Sequence, residues 1–245
     1  QAERRFREAL RVAPENPKAL QNLGLVLLGQ ENFEEGWPLF LRHEEIGLLS
    51  EGGFAATAPL WRGEKLDGGR LLIWRHQGIG DELIYASMLP DLVARGFDIL
   101  YKTEPRTIPL LARSFPTVRF SDFDDPETGL PGEAPVLAQC PVHLLGAALR
   151  TSPGDFPRHT GYLKADAART EGLRAKYGGG DGPLIGISWR SKAAYLGSIK
   201  SSDLADWKAV LTQPGATFVS LQYGGFTDDI ARARSLYGIP IVHDP

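Results

Sequence analysis

Hydrophobic and polar positions recur along this chain with two different periods, and the periods predict its secondary structure. The clearest stretch runs from Arg70 to Tyr85, where the apolar run Leu71–Trp74 has the length of a buried strand. A turn with Gly78 and Gly80 follows, and Asp81 opens a segment whose apolar residues lie at helical spacing. This order of a strand, a tight turn and a helix is the start of a βαβ unit.

The same alternation continues downstream and predicts two series of strands and helices. In the first series we expect strands at 98–102, 118–120 and 134–139, helices at 105–115 and 141–150, and a polar loop at 121–132. After a charged helix at 166–177 and a glycine run at 178–182, the second series predicts strands at 184–188, 217–221 and 239–242 and helices at 203–211 and 227–237. Strands that alternate with helices at this spacing indicate parallel sheets, so the fold class is α/β with two Rossmann-like domains.

The N-terminal segment carries an internal repeat. Gly36 and Phe40 recur 34 positions after Ala2 and Phe6, and further matching positions are Ala9, Pro14, Leu20, Leu23, Gly24 and Leu27. Small residues let two antiparallel helices pack closely, and the pattern resembles tetratricopeptide repeats. One and a half repeats cannot bury a continuous core, so we expect this segment to pack on the following domain or to belong to a longer array.

These patterns divide the chain into five segments. They are the tetratricopeptide helices (1–46), a linker (47–69), a first, acceptor-side Rossmann-like domain (70–165), a linker helix with a glycine-rich hinge (166–182), and the start of a second, donor-side Rossmann-like domain (183–245). Since the array begins mid-unit and the last segment is shorter than the roughly 100 residues of a typical domain, we expect a fragment that is truncated at both ends. Within the linker, Trp61 is expected to anchor the chain on the sheet.

Composition narrows the class of protein. The 245 residues are 42% hydrophobic with a net charge of −3, which gives no electrostatic case for a nucleic-acid partner. No signal peptide is visible in the sequence, and we expect no transmembrane segment, because no apolar run approaches the roughly 18 residues that a membrane helix needs. The single cysteine, Cys140, excludes an internal disulfide and favours a reducing compartment. We therefore expect a cytoplasmic protein, which could also attach peripherally to the inner membrane face. We expect Cys140 to be a buried residue with a structural role.

The residues that could bind a ligand or take part in catalysis lie in the loops that follow the strands. Open α/β sheets bind their ligands at these loops. In the first domain the candidates are Gln77, Gly78, Gly80, Asp81 and Glu82. In the second domain they are Ser188, Trp189, Arg190, Lys192, Lys200, Ser201, Ser202, Gln222 and Tyr223. Three cations in one loop fit a diphosphate clamp, and a large aromatic directly after a strand suits stacking on a base or sugar. The plainer alternatives are an ordinary helix cap at Asp81 and a solvated basic loop.

Other motifs carry less weight. A dinucleotide fingerprint is a poor match because Leu83 stands at its sixth position, although Glu104 lies near the place of a ribose-binding acid. Asp122 and Asp124 form a D-x-D triplet that could bind a metal, and such triplets also arise by chance in an acidic loop. The histidines have no metal-ligand spacing, so we expect no metal site, although His76 lies near the first turn and could contact an acceptor.

Three motifs together resemble a known family. They are G-I-G-D after the first strand, G-I-S-W-R-S-K after the glycine run, and F-V-S-L-Q-Y-G at the following strand. In order and spacing they resemble bacterial tetratricopeptide proteins with a heptosyltransferase-like glycosyltransferase domain of the GT-B fold, over about residues 60–245. The chain ends before the Asp-Ser/Thr, His and glycine-rich segments that complete the donor pocket in that family.

The resemblance implies an activity and residue roles. It implies inverting, metal-independent transfer of a hexosyl or heptosyl group from a nucleotide-sugar to a glycan or protein acceptor, with no cofactor. By motif position, Asp81 matches the general base, Lys200 or Lys192 the basic group at the donor phosphates, and Gln222 the donor-side loop. Two alternatives stay open: a non-catalytic scaffold that binds a protein partner through the tetratricopeptide helices, and a nicotinamide-dependent oxidoreductase.

Overall fold

The computed structural model describes residues 1–51, 58–76, 78–125, 134–158, 160–178, 182–191, 197–224 and 226–243. The chain divides into two compact units, Gln1–Lys164 and Ala165–Pro245. Each unit has its own hydrophobic core and its own parallel sheet. The α/β class with parallel sheets, which the alternation of strands and helices predicts, is therefore confirmed.

Three helices open the first unit: α1 (Ala2–Val12), α2 (Pro17–Gly29) and α3 (Phe33–Glu51). Helix α2 is capped by Asn16, whose side chain accepts a hydrogen bond from the Ala19 N–H at 3.0 Å. Helices α2 and α3 approach closely at two glycines, since a Cβ added to Gly24 would lie 3.1 Å from the carbonyl oxygen of Gly36. The close contact agrees with the small residues of the repeat pattern, and membership of the tetratricopeptide family stays a prediction.

A four-stranded parallel sheet forms the centre of the first unit. Its strands are β1 (Arg70–Trp74), β2 (Asp98–Thr103), β3 (Arg119–Asp122) and β4 (Val136–Pro141). They lie in the order β3-β2-β1-β4, with Leu71 opposite Ile99 of β2 and Ala138 of β4. All five residues of β1 are buried, which explains why its apolar run is continuous rather than alternating.

Four helices accompany this sheet: α4 (Ile79–Tyr85), α5 (Leu89–Ala94), α6 (Ile108–Ser114) and α7 (Leu145–Leu149). The helix predicted from Asp81 onward is divided by a 3₁₀ turn at Ala86–Met88 before α5. The helix predicted at 141–150 begins as a 3₁₀ turn at Val142–Leu144 and continues as α7. The division before α5 has a clear cause. Pro90 has no N–H to donate to the carbonyl of Ala86, so regular α-helical bonding is interrupted there.

One hydrophobic core joins the N-terminal helices to the sheet. Phe40 of α3 is buried in the same cluster as Ile73 of β1. Trp61 is also buried there, and its backbone N–H donates to the Gln139 carbonyl at 2.7 Å, which confirms the anchoring role expected for it. Cys140 is completely buried, and burial raises the pKa of its thiol, as a packed structural cysteine requires.

The junction between α3 and the rest of the first unit centres on Arg150. Trp37 donates from Nε1 to the Arg150 carbonyl at 2.8 Å. The Arg150 side chain is 6% exposed, pairs with Asp91 of α5 at 2.9 Å, and lies over the ring of Phe156. Trp37 also packs on Gly146, where an added Cβ would lie 2.5 Å from its ring. This junction therefore requires a glycine at 146 and a paired arginine at 150.

The second unit contains the strands β5 (Leu184–Ile187), β6 (Thr217–Ser220) and β7 (Ile241–His243), parallel and in that order. Its helices are α8 (Ala167–Tyr177), α9 (Lys208–Leu211) and α10 (Thr227–Tyr237), with a 3₁₀ turn at Leu204–Asp206 before α9. Helix α10 ends at Gly238, whose φ of 68° lies in the left-handed region that favours glycine. The predicted order of strands and helices is present over these residues.

Candidate functional site

The strand order of the first sheet locates a ligand crevice. The chain leaves β1 toward β2 and β3 on one side and then returns to place β4 on the other side of β1. Strand order therefore reverses between β1 and β4, and ligands in open α/β sheets bind outside the carboxyl ends of the strands at such a point. The residues that follow β1 and β4 are the first candidates for binding.

The turn after β1 carries Asp81. Helix α4 begins at Ile79, so Asp81 is its third residue and Gly80 lies within the first turn, which corrects the prediction that Asp81 opens the helix. The Asp81 Oδ2 atom accepts a hydrogen bond from the Gly78 N–H at 3.2 Å. Within the part of the chain that is described, Oδ1 of Asp81 accepts no hydrogen bond. Gln77, the predicted neighbour of this turn, lies outside the described residues.

Neither glycine of the turn is required by packing. A Cβ added to Gly80 would meet nothing within 4 Å, and one added to Gly78 would meet only the Asp81 carboxylate at 3.6 Å. Both residues are exposed, and neither has a positive φ. The two glycines therefore leave open backbone at the carboxyl end of β1, where a ligand could approach closely.

The position of the Glu82 side chain differs from the one that the sequence suggested. Its side chain, predicted to line the acceptor-side loop, is completely buried. It is hydrogen-bonded to the hydroxyl of Thr103 at the end of β2. Burial raises the pKa of Glu82 above its ordinary value of 4.5, against smaller opposing contributions from Thr103 and Arg75. This carboxyl group therefore belongs to the interior of the first unit.

A pair of histidines lies at the same edge of the sheet. His76 follows β1 and His143 follows β4, and their rings stack with centroids 4.2 Å apart. Tyr85 of α4 contacts the buried His143, with ring centroids 6.2 Å apart. Sequence spacing could not reveal this pair, because its members are 67 positions apart. The one sequence feature that could have suggested the pair is that each histidine follows the end of a predicted strand.

The remaining polar candidates of the first unit have structural partners. The Glu104 carboxylate accepts from Arg75 at 2.6 Å and from Arg106 at 2.9 Å, so both of its oxygens are engaged. Asp122 accepts from the backbone N–H of Asp124 at 3.0 Å, which makes the D-x-D triplet a turn. These contacts weaken the nicotinamide and metal alternatives for these residues.

In the second unit Gln222 organises the loop that follows β5. Its Oε1 accepts from the Ser188 hydroxyl at 3.1 Å, from the Trp189 N–H at 3.0 Å and from the Arg190 N–H at 2.9 Å. The side chain is 4% exposed. Gln222 thus positions the backbone of the predicted donor loop, while a direct contact with a donor is untested.

Trp189 and Arg190 are both held by Asp229 of α10. The Trp189 ring is 2% exposed and its Nε1 donates to Asp229 at 2.9 Å, so little of its surface is open to the stacking on a base or sugar that the sequence suggested. Arg190 donates to both oxygens of Asp229, at 2.7 and 3.2 Å. The bond from Arg190, followed by that from Trp189, holds the pKa of Asp229 below its ordinary value of 3.8.

The rest of the donor loop is described in part. The Ser202 N–H donates to the Trp189 carbonyl at 2.9 Å, which holds the two ends of the loop together and keeps Arg190 and Lys200 at one end. Lys200 is exposed, and Tyr223 in the loop after β6 is 67% exposed. Lys192 lies outside the described residues.

Replacing Asp229 by Asn is expected to destabilise the second unit by about 1–3 kcal/mol, because it removes the carboxylate that pairs Arg190 and Trp189. The native carboxylate has a lowered pKa, so its contribution to stability is present above pH 3.8 and is lost as the pH falls through the folded value. Unfolding measured from pH 7 to pH 2 should show this loss in the native chain. The change Asp228→Asn at the neighbouring position removes the interaction of a first-turn carboxylate with the helix dipole, so it should cost less than about 1 kcal/mol and leave the pH dependence due to Asp229 in place.

Two apolar grooves cross the first unit, away from this turn. One is about 740 Å³ and the other about 450 Å³, and they share Ser87, Pro157 and Tyr162. Neither is lined by Gly78, Gly80 or Asp81.

Over the described ranges, no three acidic, histidine or cysteine side chains form a group that could hold a metal ion. Nor does any helix in those ranges have the length and apolar character needed to cross a membrane.

Comparisons with known proteins give partial matches. No family model matches the chain. It is 31% identical over 252 residues to Protein FlbA of Caulobacter vibrioides. The match covers 96% of this chain and 42% of FlbA, so the chain spans less than half the length of this relative.

Two solved structures show a weaker likeness. The iron-containing dodecameric glycosyltransferase TibC of enterotoxigenic E. coli is 20% identical with a TM-score of 0.37, over 66% of this chain and 45% of that one. The heptosyltransferase TibC in complex with ADP-D-β-D-heptose is 17% identical with a TM-score of 0.35, over the same shares of 66% and 45%. Likeness at this level does not establish a shared activity.

Proposed function

We propose that this chain belongs to a glycosyltransferase that moves a hexosyl or heptosyl group from a nucleotide-sugar to a glycan or protein acceptor, with inversion and without a metal ion. The observation that carries the proposal is the turn after β1. It places open glycine backbone and the Asp81 carboxylate beside the point where strand order reverses. The order of the three sequence motifs supports the same activity.

In this proposal Asp81 is the general base. The acceptor hydroxyl must lose its proton as its oxygen attacks the anomeric carbon of the donor sugar. Oδ2 of Asp81 is held by the Gly78 N–H, which leaves Oδ1 to take that proton. The new bond joins the acceptor oxygen to the anomeric carbon, and the bond from that carbon to the diphosphate oxygen breaks with its electron pair on the diphosphate.

The loop after β5 carries the cations that we propose bind the diphosphate of the donor. Lys200 is exposed at one end of the donor loop, and Lys192 lies in the same loop by sequence. Arg190 is partly engaged, because its Nε and Nη2 atoms donate to Asp229. We therefore assign the main electrostatic contribution to the two lysines.

The test is thermal unfolding of the protein as the cell makes it, against a panel of nucleoside diphosphates and nucleotide-sugars that includes ADP-D-β-D-heptose. A ligand that binds only the folded state stabilises it by about 2.7 kcal/mol at a hundredfold excess over its dissociation constant. Stabilisation by one nucleotide would support the proposal and identify the base of the donor. If no member of the panel stabilises the protein, the non-catalytic scaffold becomes the better explanation.

The glycine turn permits a second test, the change Gly80→Ala. The fold should be unaffected or stabilised by up to about 1 kcal/mol, because the added Cβ meets nothing and alanine favours a helix. If the open backbone serves ligand approach, the transfer rate should nevertheless fall at least tenfold. The matched control is Gly172→Ala in α8, an exposed helical glycine whose Cβ would also meet nothing within 4 Å. Equal activity of both variants would show that Gly80 has no role in binding.

A further inference from the structure

A chain of buried hydrogen bonds connects α4 to the end of β2 and the start of α6. It begins at the Glu82 carboxyl group, which is hydrogen-bonded to the Thr103 hydroxyl. The Thr103 and Thr107 hydroxyl oxygens are 2.9 Å apart, and Thr107 donates to the Glu104 carbonyl at 2.8 Å. Glu82 and Thr103 are completely buried, and Thr107 is 4% exposed.

The hydrogen bonds of the Glu82 carboxyl group bear on its charge. The Glu104 carbonyl can only accept, so the single hydroxyl proton of Thr107 is directed to it. The Thr103 hydroxyl donates to Oε2 of Glu82. Oε1 of Glu82 is buried and, within the described ranges, has no hydrogen-bond partner. A buried carboxylate with one neutral donor and one unpaired oxygen is costly, and a proton on Oε1 removes that charge.

The surroundings of Glu82 agree with a neutral acid. The titratable and charged groups that face it are Arg75 after β1, Tyr101 in β2 and Glu104 after β2. The Arg75 guanidinium is paired with Glu104 at 2.6 Å, so its charge is already compensated. Burial of Tyr101 raises the pKa of its phenol, so that neighbour is neutral as well. A buried carboxylate without a full positive partner would be costly here.

We propose that Glu82 is a neutral positioning residue that fixes the first turn of α4, and with it Asp81, against β2. The hydrogen bonds between Glu82 and Thr103 and between Thr103 and Thr107 join α4, the end of β2 and the start of α6 at the carboxyl edge of the sheet. The role in placing Asp81 rests on the proposed function, while the protonation of Glu82 does not. The two parts therefore need separate measurements.

Infrared spectroscopy tests the protonation directly. With isotope-labelled glutamate, the native protein at pH 7 should show the carbonyl stretch of a protonated carboxylic acid. The band should disappear in Glu82→Gln and persist in Glu171→Gln, which removes an exposed carboxylate from α8. Absence of the band from the native protein at pH 7, or its persistence in Glu82→Gln, would overturn the proposal whether or not the protein transfers sugar.

Stability against pH gives an independent readout. Because the pKa of Glu82 is raised in the folded state, its contribution to stability is complete below pH 4.5 and is lost as the pH rises through the folded value. The difference in melting temperature between Glu82→Gln and the native protein should therefore grow in favour of the variant between pH 5 and pH 9, by about 2–4 °C. A constant difference across this range would contradict a neutral Glu82.

Conservative rescue tests the positioning role. The amide oxygen of Gln at 82 can accept from the Thr103 hydroxyl in the same way, whereas Ala cannot and Asp is too short. We expect Glu82→Ala to lower the rate of transfer at least tenfold and Glu82→Gln to recover most of it, with Glu82→Asp resembling Ala. Equal rates for the Gln and Ala variants would overturn positioning. Absence of transfer by the native protein would count against the proposed function instead, and the infrared result would still decide the protonation of Glu82.

Discussion

Asp81→Asn is expected to slow sugar transfer by about 10²–10⁴-fold in the protein as the cell makes it, because the acceptor loses its general base. The amide oxygen of Asn can still accept from the Gly78 N–H, so the turn after β1 should keep its structure. We therefore expect a fall in kcat with little change in melting temperature. Initial rates and thermal unfolding measured on the same preparation separate the two effects.

The matched control is Asp67→Asn, which removes the exposed carboxylate shortly before β1. Its transfer rate should equal that of the native protein. If Asp81→Asn transfers sugar within twofold of the native rate, Asp81 is not the base. Asp81 would then be left with the capping role that its bond to Gly78 already shows.

Arg150→Ala is expected to destabilise the first unit by about 3–5 kcal/mol, because it leaves the Asp91 carboxylate without its partner in a largely buried place. The variant also loses the packing of the guanidinium on Phe156. For a unit of this size we expect the melting temperature to fall by about 10 °C. Chemical denaturation followed by tryptophan fluorescence measures the change, because Trp37 lies beside Arg150.

Two further variants separate charge from packing at this junction. Arg95→Ala, at the exposed end of α5, is the control and should change stability by less than about 0.5 kcal/mol. The double variant Arg150→Met with Asp91→Leu removes both charges and should recover most of the loss, as apolar replacements of buried pairs often do. A destabilisation by Arg150→Ala no larger than that of the control would show that Arg150 does not hold the junction together.

Local sequence patterns predicted most of the elements, because each pattern reports burial or backbone geometry of its own segment. The run Leu71–Trp74 is apolar throughout because β1 is buried on both faces, and a strand of that kind is visible without any partner. Helix boundaries were less certain. The sequence placed Asp81 at the start of α4, whereas the helix starts at Ile79 and Asp81 caps it from within.

Side-chain surroundings in the candidate sites were harder to predict. Trp189 and Glu82 were candidates for ligand contact because each lies beside a strand end, and both are buried. Their burial depends on Asp229 and Thr103, which lie 40 and 21 positions away in the chain. A loop position predicts access to solvent only when no distant element covers it, and local patterns carry no information about that.

The sequence by itself determined the alternation of strands and helices, the turn with Gly78 and Asp81, and the close helix packing at Gly24, since each follows from periodicity or residue size over a few positions. Only the tertiary structure decided that β4 lies beside β1, that His143 stacks on His76, and that Glu82 ends a buried hydrogen-bond chain. These contacts join residues far apart in the chain. Their free energy depends on which surfaces the whole fold removes from water, and no local pattern encodes that.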